Sequence, residues 1–345
     1  MDTNKKRIGC LGWIGRVLLA IVGLLVITGL VGAAVRANLR ARYPPSGQLV
    51  DVGGYRMHIS CQGSGSPTVI VEAGQGGFGS VYQNIQAELG RETRVCTYDR
   101  AGLGWSDLGK KPRSAQVVVE ELHTLLNNAE VEGPYVLVGH SLGGLFSLLY
   151  AHTYPQDTVG VVLLDSPHMD RFTRAPEKEI NNLKSVVRML PMYYNVMMVV
   201  TLTGIPSLLP PPSIAVDGFP PEVAEVNGAV VKSSIRILRG MGAELSALEA
   251  YYQQVQAANI NSLGDIPVIA ITHSRPEGYM NMTPEEIEAS EKMWRQFQDE
   301  FAALSTQGQV ILAENSGHNI HLERPDLVYR SIREVLQTAR AQTAP

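Results

Sequence analysis

The chain has 345 residues, 45% of them hydrophobic, which is ample for a core and excludes wholesale disorder. Charged residues make up 18%, below the roughly 25% usual in soluble proteins. A net charge of −4 gives no basic footprint for nucleic acid, and three cysteines are too few for a disulfide-built scaffold.

The first predicted element accounts for part of the charge deficit. Val17 to Val35 is an uncharged run rich in Leu, Val, Ile and Gly. At about 1.5 Å per residue it spans roughly 28 Å as a helix, close to the hydrocarbon thickness of a bilayer. Lys5, Lys6, Arg7 and Arg16 precede it; Arg36, Arg40 and Arg42 follow. The balance leans toward an N-terminus inside and the rest of the chain outside. The run predicts an uncleaved single-pass anchor. A secretory signal cleaved after Ala33 or Ala34 is the alternative, against which the run is long.

Residues 36–48 read as a linker. Beyond it, apolar runs at Tyr55–Cys61, Thr68–Ala73, Arg94–Tyr98, Tyr135–Gly139, Val159–Asp165, Ile266–Thr272 and Gln309–Ala313 predict strands. The continuous β-branched ones suit a parallel sheet covered on both faces. Helical patterns at 80–89, 114–129, 142–153, 284–304 and 325–339 alternate with them, so the fold class is α/β. About 100 residues separate Asp165 from Ile266, far more than a crossover needs. They predict an inserted helical cap over 168–255, dividing the core into 49–167 and 256–345. The cap carries a Met-rich stretch, 189–203, followed by Pro210-Pro211-Pro212. That stretch is expected to line an acyl pocket, to dip into a membrane, or to form plain cap core.

Gly139-His140-Ser141-Leu142-Gly143 carries the strongest chemical signal. It lies between a predicted strand and a predicted helix, where G-x-S-x-G forms a tight turn that projects the serine hydroxyl. The same turn aims the Leu142 N–H at developing negative charge. The base is expected to be His318, in the loop after the last strand, at the same sheet edge. His318 and His321 form an H-x-x-H pair with no third ligand nearby, so no metal is implied. His140, His168 and His273 read as structural or pocket-lining, and His58 as a surface residue. Gly74-Gln75-Gly76-Gly77-Phe78-Gly79 matches a dinucleotide fingerprint, with Asp99 20 residues later. A Gly-rich turn opening N–H groups toward Ser141 is preferred, because a nucleotide leaves Ser141 and His318 unexplained.

These motifs resemble the α/β-hydrolase superfamily over about residues 49–340: Glu72-Ala-Gly-Gln-Gly-Gly, then Tyr98-Asp-Arg-Ala-Gly-Leu-Gly-Trp-Ser, Gly139-His-Ser-Leu-Gly-Gly and Ser316-Gly-His. The resemblance implies a mostly parallel eight-stranded sheet with helices on both faces and a cap after strand six. It implies a Ser-acid-His triad and an oxyanion hole of the Gln75 and Leu142 amides. It implies no cofactor. The sequence departs from the family where many members carry Gly-x-x-Asp after strand seven; here Thr272-His-Ser-Arg-Pro-Glu-Gly has no Asp. The acid is therefore expected to be Asp165, ending strand six, with Glu277 as the alternative and Asp170 behind it. Family topology places the strands of Cys61 and Cys96 side by side and antiparallel, which implies a disulfide in an oxidising location. Two buried thiols are the alternative, and Cys10 is expected to stay free. The expected activity is hydrolysis of a small-molecule or lipid carboxylic ester through an acyl-enzyme, at a membrane and outside the cytoplasm. A peptidase or amidase, and a silent hydrolase-like binding protein, are the alternatives.

Overall fold

The computed structural model describes residues 10–210 and 220–343. Lys5, Lys6 and Arg7, on which the orientation reading leans, lie outside them, as do Pro211, Pro212 and the side chain of Cys10. Eight strands form one sheet: β1 (Gln48–Asp51), β2 (Arg56–Gln62), β3 (Thr68–Glu72), β4 (Val95–Tyr98), β5 (Tyr135–His140), β6 (Thr158–Leu164), β7 (Val268–His273) and β8 (Gly308–Ala313). Their order is β1-β2-β4-β3-β5-β6-β7-β8. β2 runs antiparallel to both β1 and β4, and the remaining pairs are parallel. β1 was not legible in the sequence, because four residues give too short an alternation to read. Cys61 and Cys96 face each other across β2 and β4 and are joined by a disulfide, with Cα atoms 4.0 Å apart.

Strand side chains alternate between two cores, as period-2 geometry requires. Leu137, Val161 and Leu163 enter one core; Val136, Val138, Val162 and Leu164 enter the other. The first core is closed by α3 (Ala115–Asn128), α4 (Leu142–Thr153) and α11 (Pro284–Ala303). The second is closed by α2 (Gln83–Leu89), the short α12 (Ile320–Glu323) and α13 (Pro325–Thr343). Ser114 caps α3, and Thr283 with Glu286 forms a capping box on α11, so both helices start where their first free amides find acceptors.

Between β6 and β7 lie α5 (Arg171–Arg174), α6 (Glu177–Leu202), α7 (Ile205–Leu208), α8 (Pro221–Ser233), α9 (Ile235–Ser246) and α10 (Leu248–Ala257). α10 packs with the sheet core through Tyr251 and Val255, and the Tyr251 ring stands edge-on to Phe146 of α4. The N-terminal helix α1 runs Cys10–Arg42 without a break. It continues seven residues past the apolar run because Ala, Leu and Arg there favour helix, and because this end packs on α7 and α8. The linker reduces to the few residues between Arg42 and β1.

Candidate active site

Ser141 sits in the turn between β5 and α4 with φ 51°, a left-handed conformation that costs energy in a residue with a Cβ. Crowding imposes it. A Cβ on Gly139 would stand 2.6 Å from the Gly144 Cα, and one on Gly143 would overlap the Glu72 carbonyl. The Ser141 amide donates to Leu164 O at 2.9 Å, which ties the turn to β6.

Asp165 follows β6 and is also held at positive φ, 47°. Its Oδ2 lies 2.6 Å from His318 Nδ1. Its Oδ1 lies 2.7 Å from His273 Nδ1 and accepts the His273 amide at 3.1 Å. Burial alone would raise the Asp165 pKa, but the hydrogen bonds and charges of His273 and His318 outweigh it and hold the carboxyl well below its usual range. Glu277 does not reach Nδ1. Its Oε2 accepts the His318 backbone amide at 3.3 Å, and Arg275 occupies its other oxygen. Asp170 is engaged elsewhere, with Arg174 and Gln256.

His273 is the residue that sequence reasoning undervalued. Its second nitrogen, Nε2, lies 3.0 Å from Glu291 Oε1, which also accepts from the Tyr279 hydroxyl at 2.9 Å. Burial would lower its pKa, yet Asp165 and Glu291 on either side push it up to about 10. His273 is thus an imidazolium between two carboxylates. It ends β7, beside the end of β6 that carries Asp165, and that adjacency of two strand ends was the available signal.

A second chain of hydrogen bonds runs through His140. The Gly74 amide donates to the Tyr82 hydroxyl at 3.0 Å, and that hydroxyl meets His140 Nδ1 at 2.9 Å. His140 Nε2 lies 3.0 Å from the His318 carbonyl. Burial, helped by the neighbouring His318, pushes the His140 pKa down to about 3, so the ring is neutral. Its Nε2–H then donates to His318 O, and Nδ1 accepts from Tyr82. The glycine turn and the histidine loop are thereby fixed to each other.

Arg100 clamps the same turn from below. Its Nη1 donates to Ala73 O at 2.6 Å and its Nη2 to Gly74 O at 2.7 Å, while Glu72 and Glu244 balance the buried charge. Of the amides at 74–77, Gly74 is taken by Tyr82, Gly76 by Glu244 and Gly77 by Gly74 O. The Gln75 amide is left without an acceptor among the described residues. So is that of Leu142, the first residue of α4. Asp99 is spent on the Gly79 and Trp105 amides and on His58 Nδ1, all within 3.0 Å, so it has no oxygen to offer a ribose. His58 is buried in that contact and is not a surface residue, because the chain turn after β4 folds back over β2.

Two cavities meet at His318. One of about 400 Å³ is lined by Gly74–Phe78, His140, Ser141 and Met241. The other, about 390 Å³, is lined by Asp165, Leu183, Val186, Met280 and Trp294. The 189–203 stretch lines neither, so the expectation of an acyl pocket there is not met. Nor is it core, since most of its large apolar side chains are exposed. Ligand atoms of His168, Asp170 and Glu300 lie within 4.8 Å of one another. Arg174 already bonds both carboxylates, which makes the cluster an ion-pair network. His321 is buried against the Tyr82 and His140 rings, away from any ligand set with His318.

The alpha/beta hydrolase family profile matches residues 69–331. The uncharacterized protein YqjL of Bacillus subtilis (strain 168) is 29% identical over 287 residues, covering 82% of this chain and 89% of that protein. The epoxide hydrolase CorEH superposes with TM-score 0.64 at 17% identity, over 85% of this chain and 98% of its own. A mutant epoxide hydrolase from Bacillus megaterium superposes with TM-score 0.60 at 16% identity, over 84% and 100%. The matched span runs from β3 to within α13 and contains Ser141, Asp165 and His318, and the chain belongs to the alpha/beta hydrolase family.

Proposed function

We propose that this protein is a membrane-anchored serine hydrolase acting on carboxylic esters through Ser141, His318 and Asp165. One observation carries the reading: His318 Nδ1 lies 2.6 Å from a buried Asp165 oxygen, while His318 and the strained Ser141 line one cavity. Asp165 fixes the tautomer that leaves Nε2 free as a base. Nε2 takes the Ser141 proton as Oγ attacks the ester carbonyl. The oxyanion is held by the Gln75 and Leu142 amides. Collapse expels the alcohol, protonated by His318, and leaves an acyl-Ser141. Water, deprotonated by His318, then releases the acid.

The chemistry of Ser141 separates this reading from the epoxide hydrolases that share the fold. A serine oxygen opening an epoxide would form an ether, which has no carbonyl for water to attack. The apolar Leu183, Val186, Met280 and Trp294 beside His318 favour an apolar acyl or alkyl group. A single-pass anchor with the catalytic domain outside the cytoplasm is supported by the length and hydropathy of α1 and by the Cys61–Cys96 disulfide. The close packing of α1 on the cap favours its retention in the mature protein.

The test is labelling of the full-length protein with a fluorophosphonate, followed by peptide mapping. Label on Ser141, lost in Ser141→Ala together with turnover of p-nitrophenyl esters, is expected. Substantial ester turnover in pure Ser141→Ala protein would overturn the assignment.

A further inference from the structure

The cap holds an apolar surface that the catalytic site does not use. α6 changes character at Arg188. Its first turns expose Lys178, Lys184 and Arg188 to solvent; from Met189 to Leu209 there is no charged residue. Met189, Met192, Tyr193, Val196, Val199 and Val200 are all exposed, at 38–67%. Their spacing of three and four places them in one stripe along the helix. The opposite face of α6 carries Leu183, Val187 and Tyr194 into the core packing. Leu202, Ile205, Leu208 and Leu209 extend the exposed surface through α7. A monomer in water rarely leaves so continuous an apolar patch uncovered.

The position of α1 says what covers it. α1 and the end of α6 approach backbone to backbone at glycines. A Cβ on Gly32 would stand 2.5 Å from the Gly204 Cα, one on Gly29 would stand 3.5 Å from Leu202 O, and one on Gly204 would overlap Thr28 O. Above this contact, Arg36 Nη1 donates to Ser207 Oγ at 3.1 Å, and Arg40 Nη1 to Ser233 O at 2.7 Å. Thr28 to Gly32 lie three to seven residues inside the apolar run that ends at Val35. At about 1.5 Å per residue this sets Leu202–Gly204 roughly 5–10 Å below the end of the span. That is the depth at which interfacial amphipathic helices bury their apolar faces.

We propose that the exposed stripe of α6, with α7, is immersed in the bilayer leaflet at the C-terminal end of α1. The occupant of the apolar face is lipid. The inference rests on α1 being a membrane span. It deepens the reading of the site, since a cap embedded in the leaflet selects esters dissolved in the membrane over esters in water.

The test uses the full chain in phosphatidylcholine liposomes. Single cysteines at Val199, Leu202 and Leu208, in a Cys10→Ser background that keeps the Cys61–Cys96 bond, are labelled with a nitroxide without reductant. Collision with oxygen, which concentrates in lipid, is compared with collision with a water-soluble nickel chelate. Leu24, in mid-span, and Arg330, exposed on α13, are the references. The three cap labels are expected to follow Leu24. Cap labels that follow Arg330 while Leu24 keeps its lipid signature would overturn the proposal and leave the anchor standing. A Leu24 label that itself follows Arg330 would remove the anchor and the proposal together. Labels shielded from both probes would show a protein neighbour on the patch, which also overturns it. A second readout is the double variant Val199→Asp, Leu202→Asp. Its turnover of a long-chain ester in vesicles is expected to fall by about tenfold or more, the charge opposing immersion. Its turnover of soluble p-nitrophenyl acetate should stay within about twofold. Equal loss on both substrates would count against a lipid-facing role.

Discussion

Asp165 serves two histidines, one on each carboxylate oxygen. Asp165→Asn removes the acceptor that fixes the His318 tautomer and should lower kcat by about 10⁴-fold, by analogy with the serine-protease triad. Glu277→Gln keeps an oxygen for the His318 amide and should change kcat by no more than about threefold; ester kinetics on the purified variants decide. A large loss in Glu277→Gln with near-normal Asp165→Asn would reverse the assignment. His273→Gln tests the second histidine. Breaking a buried ion pair costs about 3–5 kcal/mol. The pH dependence has a definite sign. The His273 pKa is raised from about 6.5 to about 10. Its contribution is fully present below pH ~6.5 and is lost as pH rises toward ~10, by at most about 1.4 kcal/mol per pH unit. The groups facing it are Asp165, Glu291 and, through Glu291, Tyr279 and Arg295. Denaturant unfolding between pH 6 and 10 should show this decline in the wild type and a flatter profile in His273→Gln. Parallel profiles would mean His273 is neutral in the folded protein.

At the level of elements, the turn that carries Ser141 depends on absent side chains. A Cβ on Gly143 would press against the Glu72 and Ala73 carbonyls, at the end of β3 where the oxyanion turn begins. Gly143→Ala should therefore cost about 1–3 kcal/mol by overpacking. It should also lower kcat more than it raises KM, because the displaced backbone carries the proposed oxyanion donors. A full-activity variant with reduced melting temperature would confine Gly143 to packing. This element was legible from the sequence, since Gly139, Ser141 and Gly143 encode a turn by local sterics. The parallel strands were legible for a similar reason: runs such as Tyr135–Gly139 are apolar on both faces. What was not legible depends on non-local pairing. The burial of His58 follows from Asp99, 41 residues on. The Arg100 clamp needs Glu244, 144 residues on, and no spacing rule joins them. The apolar stretch of the cap was visible, but which face of α6 stays exposed is set by its packing on α9.

The whole molecule joins a long apolar helix, an exposed apolar cap face and a disulfide-closed sheet, and its cysteines test on which side of a membrane the proposed anchor would leave the sheet. Three cysteines are present. Cys61 and Cys96 are paired across β2 and β4, while Cys10 lies at the opposite end of α1 from the catalytic domain. A disulfide persists where the compartment is oxidising. If α1 spans the membrane with the catalytic domain outside, Cys10 sits in the reducing compartment and the pair does not. Protein taken from native membranes, denatured and treated with a maleimide-polyethylene glycol without reductant should gain one adduct. After reduction it should gain three. Three adducts without reductant would place the sheet in a reducing compartment and reverse the proposed orientation. The bond should also matter energetically. It closes a loop of about 35 residues, and the chain-entropy relation assigns about 3–4 kcal/mol to a loop of that size. Cys61→Ser with Cys96→Ser should thus lower the melting temperature by several degrees while leaving kcat nearly unchanged, because neither side chain lines the cavities at His318.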